Sequence, residues 1–184
     1  MEHAMIRKIL IAAALIAAAI TATAEPSKER GFYLVGAGGR SIYDEGGSFG
    51  NFGDDADRSI HIAAGYKIFR YLSVEARYVD FGKFDVIDKL DLSTTTVHAV
   101  GIVPFGQSGW EFFGQLGVGN VDVSFDFPSP QNGSETTVSG GIGFRWYPTP
   151  QVGIGIQTDA YIWDENNDWE SSVGATQLSV QFIF

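Results

Sequence analysis

The sequence predicts an all-β chain: eight antiparallel strands running up and down and closed into a transmembrane barrel. Three observations carry that expectation. Apolar and polar residues alternate at period two in segment after segment, and no stretch beyond the N-terminus sustains a helical period. The connections are alternately short and long. A compact soluble sheet, with hairpin loops of about 2–5 residues, has no need of that rhythm, whereas a membrane barrel with tight turns at one end and long loops at the other does. Finally, 14 Phe, 7 Tyr and 4 Trp accompany 23 Gly and 6 Pro, a composition of strands and turns.

Ahead of the first strand, Arg7-Lys8 precedes an apolar run from Ile9 to Ile20, and Thr21-Ala22-Thr23-Ala24 follows as a small-residue cleavage site. The run is well short of the roughly 20 residues a spanning helix needs. Residues 1–24 therefore read as a cleaved signal peptide rather than an anchor, with Met5 a cleaner start than Met1. Residues 25–30 follow as a short periplasmic segment and residues 31–184 as the barrel. The chain has no cysteine, which removes disulfides, thiol catalysis and lipid attachment through a signal-peptide Cys.

The strands follow in order. Residues 31–42 form the first. In the second, Ile60, Ile62, Ala64, Tyr66 and Ile68 alternate with Ser59, His61, Ala63, Gly65 and Lys67. The third sets Leu72, Val74, Ala76 and Tyr78 against Ser73, Glu75 and Arg77. Residues 94–103 and 110–121 give the fourth and fifth. Val138, Gly140, Ile142, Phe144 and Trp146 alternate with Ser139, Gly141, Gly143 and Arg145 in the sixth. Residues 151–163 form the seventh, and Leu178, Val180, Phe182 and Phe184 alternate with Gln177, Ser179 and Gln181 in the eighth. Tight turns fall at 69–71, 105–109 and 147–150, and long loops at 43–58, 80–91, 122–135 and 164–174. Aromatic girdles are expected at both rims. Tyr33, Phe69, Tyr71, Phe105, Trp110, Trp146, Tyr147, Phe182 and Phe184 would line the short-turn rim, and Tyr43, Tyr78, Phe81, Tyr161 and Trp163 the long-loop rim.

A soluble eight-stranded barrel of lipocalin type alternates too, but with its apolar face inward. The polar set decides between them. It mixes Gly and Ser with charges of both signs, which suits a narrow lumen filled by side chains. The inward charges expected are Glu75, Glu111 and Asp159 with Arg40, Lys67, Arg77 and Arg145. Counting from the short turns puts Lys67, Glu75, Glu111 and Arg145 in a lower layer, and Arg40, Arg77 and Asp159 higher. Pairing at matched depth is expected, with Glu75 facing Arg145 or Lys67, because an unpartnered charge in that lumen is heavily penalised.

Several stretches now resemble the OmpA-like barrel family of Gram-negative outer membranes. They are Gly65-Tyr66 with Leu72-x-x-Glu75-x-x-Tyr78-x-x-Phe81-Gly82, Pro104 with Leu116-Gly117-x-Gly119, and the run from Gly140 to Arg145 leading to Pro148-x-Pro150. The terminal Val180, Phe182 and Phe184 resemble the signal read by the outer-membrane assembly machinery. The resemblance implies a cell-envelope barrel in the outer membrane, in contact with its lipid and lipopolysaccharide and handled by that machinery. It does not imply cell-wall tethering, since the family's peptidoglycan-binding domain is not part of these residues.

A formal net charge of −10 argues against nucleic acid as a partner. The long loops hold 16 acids against Arg58, Lys83 and Lys89. Asp164-x-Asn166-x-Asp168 opens like a calcium loop, but Trp169 stands where Gly is needed and Ala175 where the bidentate Glu should be. Asp54, Asp55, Asp57, Asp164, Asp168 and Glu170 are weak candidates for loose Ca²⁺ or Mg²⁺ binding near lipid phosphates; otherwise no metal or cofactor is expected. Gly36-x-Gly38-x-x-Ser41 lacks the third Gly of a phosphate loop, and Asn132-Gly133-Ser134 reads as a turn. Catalytic residues are not assigned: Ser59 with His61, and Thr96 with His98, share inward faces where polar fillers are the commoner case. The expected protein is a monomeric, non-enzymatic structural and surface-interaction barrel. Its alternatives are a lipid A-modifying enzyme and a narrow, porin-like passive channel.

Overall fold

The computed structural model describes residues 27, 29–45, 56–84, 90–125, 132–163 and 171–184. Eight strands follow in chain order: β1 (Gly31–Glu45), β2 (Ala56–Phe69), β3 (Leu72–Phe84), β4 (Leu90–Pro104), β5 (Trp110–Phe125), β6 (Asn132–Thr149), β7 (Val152–Trp163) and β8 (Ser171–Ile183). Each pairs antiparallel with the next, and β8 returns to β1, so the sheet closes with no free edge. All eight expected strands are present, and most are longer than the alternation alone marks, chiefly because their long-loop ends continue into the expected loops. Asn132-Gly133-Ser134 is one such place. It opens β6, paired with residues 122–124 of β5, rather than forming a turn.

Register fixes the geometry. The line of partners that leaves β1 at Leu34 runs through Ala64, Ala76, Val97, Val118, Val138, Ile162 and Ser172 and re-enters β1 at Asp44. This stagger of ten residues in eight strands tilts them by about 40° and leaves a lumen just wide enough for side chains. The short-turn end is tightly laced. Phe105 N donates to Trp110 O (2.8 Å) across a turn in which Gly106 and Gly109 take φ of 60° and 72°, a left-handed backbone that favours glycine. Arg70 donates to Gly106 O (2.9 Å), tying one turn to the next. Phe184 N donates to Phe32 O (2.8 Å) at the β1–β8 seam.

The burial pattern is inverted relative to a soluble barrel. Leu116 is 72% exposed and Phe32 69%, whereas Lys67 is 1% and Arg77 3% exposed. Outward residues are predominantly apolar, in a belt of about four or five positions per strand, from Trp110 to Val118 on β5 and from Phe184 to Leu178 on β8. At about 3.4 Å per residue and this tilt the belt spans roughly 16–21 Å between its end Cα atoms, comparable with the roughly 25 Å apolar band of an outer-membrane barrel. So continuous an apolar surface is untenable in water and suited to lipid. It ends upward at Arg40, Arg58, Asp80, Asn120 and Thr176, all outward-facing.

Phe69, Tyr71, Phe105, Trp110, Phe182 and Phe184 are exposed at the lower rim and Tyr78 higher up, as girdle residues should be. Tyr33, Tyr147, Phe81, Tyr161 and Trp163 are not in the girdles. They share the inward parity of their strands and are buried inside. There they form much of the apolar core, an upper cluster of Val79, Phe81, Leu92, Val121, Tyr161 and Trp163 and a lower one around Tyr33, Val35 and Tyr147.

Large inward residues repeatedly face glycine across the sheet: Tyr33 opposite Gly65, His98 opposite Gly117, Phe113 opposite Gly143, Asp159 opposite Gly141. A Cβ on Gly65 would lie 2.3 Å from the Tyr33 ring, and one on Gly143 2.4 Å from that of Phe113. The glycines are the spaces these side chains occupy. Gly143→Val should therefore lower the unfolding free energy by about 1–3 kcal/mol through overpacking, measured by urea titration of the refolded barrel. Val180→Arg, on the lipid face, should cost about 2–4 kcal/mol near the bilayer midplane. Unheated wild-type protein should migrate apart from boiled protein on a gel, and identical migration would refute closure.

Candidate functional site: the polar lumen

Between the two apolar clusters lies a polar layer built from inward positions of seven strands, β2 to β8. Arg77 on β3 is its hub. Its Nη2 donates to Glu75 Oε1 (2.5 Å) and to Gln115 Oε1 (2.7 Å), and its Nε donates to the same Glu75 oxygen (2.9 Å). Nη1 lies 3.3 Å from Asp159 Oδ1. Asp159 in turn accepts from Gln157 Nε2 (2.7 Å) and from Gln115. One guanidinium thus joins β3, β5 and β7 across the lumen. Glu75 and Arg77 meet because residues two apart on a strand share a face.

His61 on β2 places Nδ1 3.3 Å from Gln157 Nε2 and Nε2 3.9 Å from Glu75 Oε1. Ser59 Oγ accepts from Gln177 (3.0 Å), so this serine is held by β8. His98 Nε2 is 2.8 Å from Thr96 Oγ1 and 3.2 Å from Ser139 Oγ. It reaches from β4 to β6 across Gly117 of β5, where a Cβ would lie 2.7 Å from the imidazole. Both histidines are fully buried in the lumen, on the opposite face of the sheet from the lipid.

The mouth at the short-turn end is a second polar node. Lys67 Nζ donates to Glu111 Oε1 (3.1 Å) and to Ser27 Oγ (2.6 Å), and Ser27 donates to the same Glu111 oxygen. Ser27, from the segment ahead of β1, is thereby set into the mouth as part of its closure.

Of the expected inward charges, Lys67, Glu75, Arg77, Glu111, Arg145 and Asp159 are buried in the lumen. Arg40 is not. It shares the outward parity of Phe32, Leu34, Gly36 and Gly38 and is exposed at the top of the apolar belt. Taking Arg40 out leaves three buried cations and three buried carboxylates among the described residues. The pairing also differs in one respect. Lys67 meets Glu111 and Arg77 meets Asp159 at matched depth, but Glu75 is held by Arg77 rather than by Arg145 or Lys67. Arg145 instead lays its guanidinium over the Phe113 ring, 4.5 Å from the centroid, and points Nη1 towards Tyr147 OH at 3.5 Å, a cation–π arrangement in a desolvated setting.

Gln115, Gln157, Gln177, Gln181 and Ser27 complete the network and escape a reading aimed at charges. The only sequence signal of the glutamines is inward parity, and Ser27, ahead of β1, has none. Asp54, Asp55, Asp164, Asp168 and Glu170 lie outside the described residues, as does the side chain of Asp57. Among the described residues no cluster of three or more His, Cys, Asp or Glu could hold a metal ion.

Residues 10–184 match the family described as the outer membrane protein beta-barrel domain. The chain belongs to that family. This membership and the apolar belt place it in the outer membrane as a β-barrel. Three solved structures are similar in fold. Neisserial surface protein A aligns with a TM-score of 0.72 at 16% identity, covering 86% of this chain and 100% of that one. The N-terminal barrel of Pseudomonas aeruginosa OprF gives 0.60 at 14% identity, covering 85% and 100%. The attachment invasion locus protein Ail of Yersinia pestis, in complex with the heparin analogue sucrose octasulfate, gives 0.58 at 16% identity, covering 85% and 100%. At these identities the likeness is one of fold. No curated protein matches the sequence.

The hub gives a sharp expectation. Glu75→Ala removes the carboxylate nearest Arg77 and should lower stability by about 3–5 kcal/mol, since a buried charge loses its main partner. Adding Arg77→Met should recover only part of that loss, because it removes the stranded guanidinium but takes from Asp159 its cation partner. Urea unfolding of both variants, followed by tryptophan fluorescence, would measure it.

Proposed function

We propose that the protein is a monomeric structural and surface-interaction barrel of the outer membrane, closed along its axis and without catalytic activity. The observation that carries this reading is the Arg77 hub, which bridges β3, β5 and β7 with Gln115 and Asp159 and occupies the lumen. Apolar side chains stack above it, and the Lys67–Glu111–Ser27 node sits in the mouth below. Such a lumen favours no steady ion flow over a narrow channel. In planar bilayers the unmodified protein should show little or no stable conductance, while Glu75→Ala should show brief openings. A large, stable conductance from the unmodified protein would overturn the reading.

The burial of Ser59, His61, Thr96 and His98 weighs against the lipid A-modifying alternative, because a lipid substrate meets the outer face. Replacing Ser59 and His61 by Ala should leave the lipid A mass profile of the producing cell unchanged. With activity set aside, partners fall to the loops and the belt. The Ail structure holds a sulfated polyanion, but the long loops of this chain carry 16 acids and three bases. Their charge suits cationic or neutral partners, or cations shared with lipid phosphates. Lipid and lipopolysaccharide surround the belt in this reading.

Export would follow from the signal peptide ending at Ala24, and assembly from the last strand. Phe184 and Phe182 are exposed beside the β1–β8 seam, with Phe182 opposite Leu34 and Val180 opposite Gly36. Deleting Phe184 should leave the protein periplasmic and degraded, and normal outer-membrane yield would refute that role.

A further inference from the structure

Above the apolar belt the outward face of β3 to β6 turns polar. Register sets Tyr78, Thr95, Asn120 and Thr136 side by side in one row. Asp80, Ser93, Asp122 and Ser134 form the next row towards the long loops. Asp80 accepts from Gly82 N at 2.9 Å. The other seven side chains make no hydrogen bond or ion pair among the described residues. With strands about 4.8 Å apart and alternate residues about 7 Å apart, the two rows make a flat grid of roughly 14 by 7 Å, the footprint of a disaccharide. Below it, across the row of Val97, Val118 and Val138, the same face carries an apolar groove of about 580 Å³ lined by Ala99, Gly101, Gly114, Gly140 and Ala160. A Cβ on Gly101 would meet only Gly114 O at 3.8 Å, and one on Gly114 only Gly141 O at 4.0 Å. These two differ from Gly65, Gly117 and Gly143, whose missing side chains make room for a neighbour. They leave bare wall on the lipid side. From Asn120 down to Gly114 the grid and the groove together span about 20 Å along β5.

We propose that grid and groove together hold one outer-leaflet glycolipid, with an uncharged saccharide on the grid and an acyl chain in the groove. It rests on the reading of the chain as a lipid-embedded barrel with its long loops outward, and names a lipid contact within it. Serine, threonine and asparagine side chains both donate and accept, whereas an ionised aspartate only accepts. Sugar hydroxyls also do both, and two neighbouring hydroxyls fit the two oxygens of one carboxylate. The Tyr78 ring, 43% exposed, adds an apolar face at one end of the grid for the C–H side of a sugar ring. Neither row contains a lysine or arginine, the side chains that recognise phosphate, and Asp80 and Asp122 repel an anionic headgroup. Continuity with the belt selects a lipid over a soluble sugar, because a chain lying in the groove holds its headgroup at the height of the grid.

The test is native mass spectrometry of the intact folded protein in a sugar-free polyoxyethylene detergent, titrated with digalactosyldiacylglycerol, diacylglycerol of the same chains, phosphatidylglycerol or free galactobiose. Digalactosyldiacylglycerol should bind at one site, at least tenfold more tightly than either sugar-free lipid. N120A/D122A should weaken it at least tenfold, to the level of diacylglycerol. Gly101→Leu, which fills the groove, should weaken it without touching the grid, and free galactobiose should not compete at equal concentration. Equal binding of diacylglycerol, equal or tighter binding of phosphatidylglycerol, competition by free galactobiose, or retention within twofold in both variants overturns the site. A dimer that N120A/D122A dissolves would make the occupant a second copy and overturn it as well. Heat-dependent gel migration shows that each variant is folded and, with bilayer conductance, reports separately on the closed-barrel reading.

Discussion

Eight strands closed with a stagger of ten enclose a cylinder whose radius is set by backbone hydrogen bonding and not by what lies inside. The lumen must therefore be filled to a fixed volume, and nearly every inward residue answers to that constraint. A soluble protein adjusts its layers to its side chains; here the side chains adjust to the wall. Aromatic rings lie over glycines, and charges sit where their counterions can reach across the bore.

The constraint also explains the division of the interior. Near the long loops the filler is apolar, with Phe81 and Tyr161 in edge contact at 5.1 Å between ring centroids. In the middle it is ionic. Water is scarce in so narrow a space, so the six buried charges need partners of their own, and glutamines supply the contacts that carboxylates leave open. Arg145 shows an aromatic face taking part of a counterion's place.

The alternation made the eight strands legible, and at the last strand it also gave the correct face for every residue from Gln177 to Phe184. Parity placed six of seven inward charges. It misplaced Arg40 because β1 interposes Gly36, Gly38 and Gly39, residues too small to show which face is apolar, so the count slipped by one. The aromatics misled for a different reason. Depth alone assigns Tyr33 and Trp163 to the girdles, whereas parity assigns them inward. The choice of Arg77 over Arg145 as partner of Glu75 depends on side-chain reach and on how Phe113 lies. Neither is written in a one-dimensional pattern.

The opposition of bulk and glycine carries a consequence for how such a chain can diverge. Tyr33 fills the space that Gly65 leaves, and Phe113 the space beside Gly143. Neither member of a pair can drift alone, since enlarging the glycine collides with the ring and shrinking the ring opens a void. Mass can cross from one strand to its neighbour only as a paired exchange. Relatives should thus preserve the summed volume of each opposed pair while the identity of either residue wanders, and low overall identity is compatible with an unchanged bore.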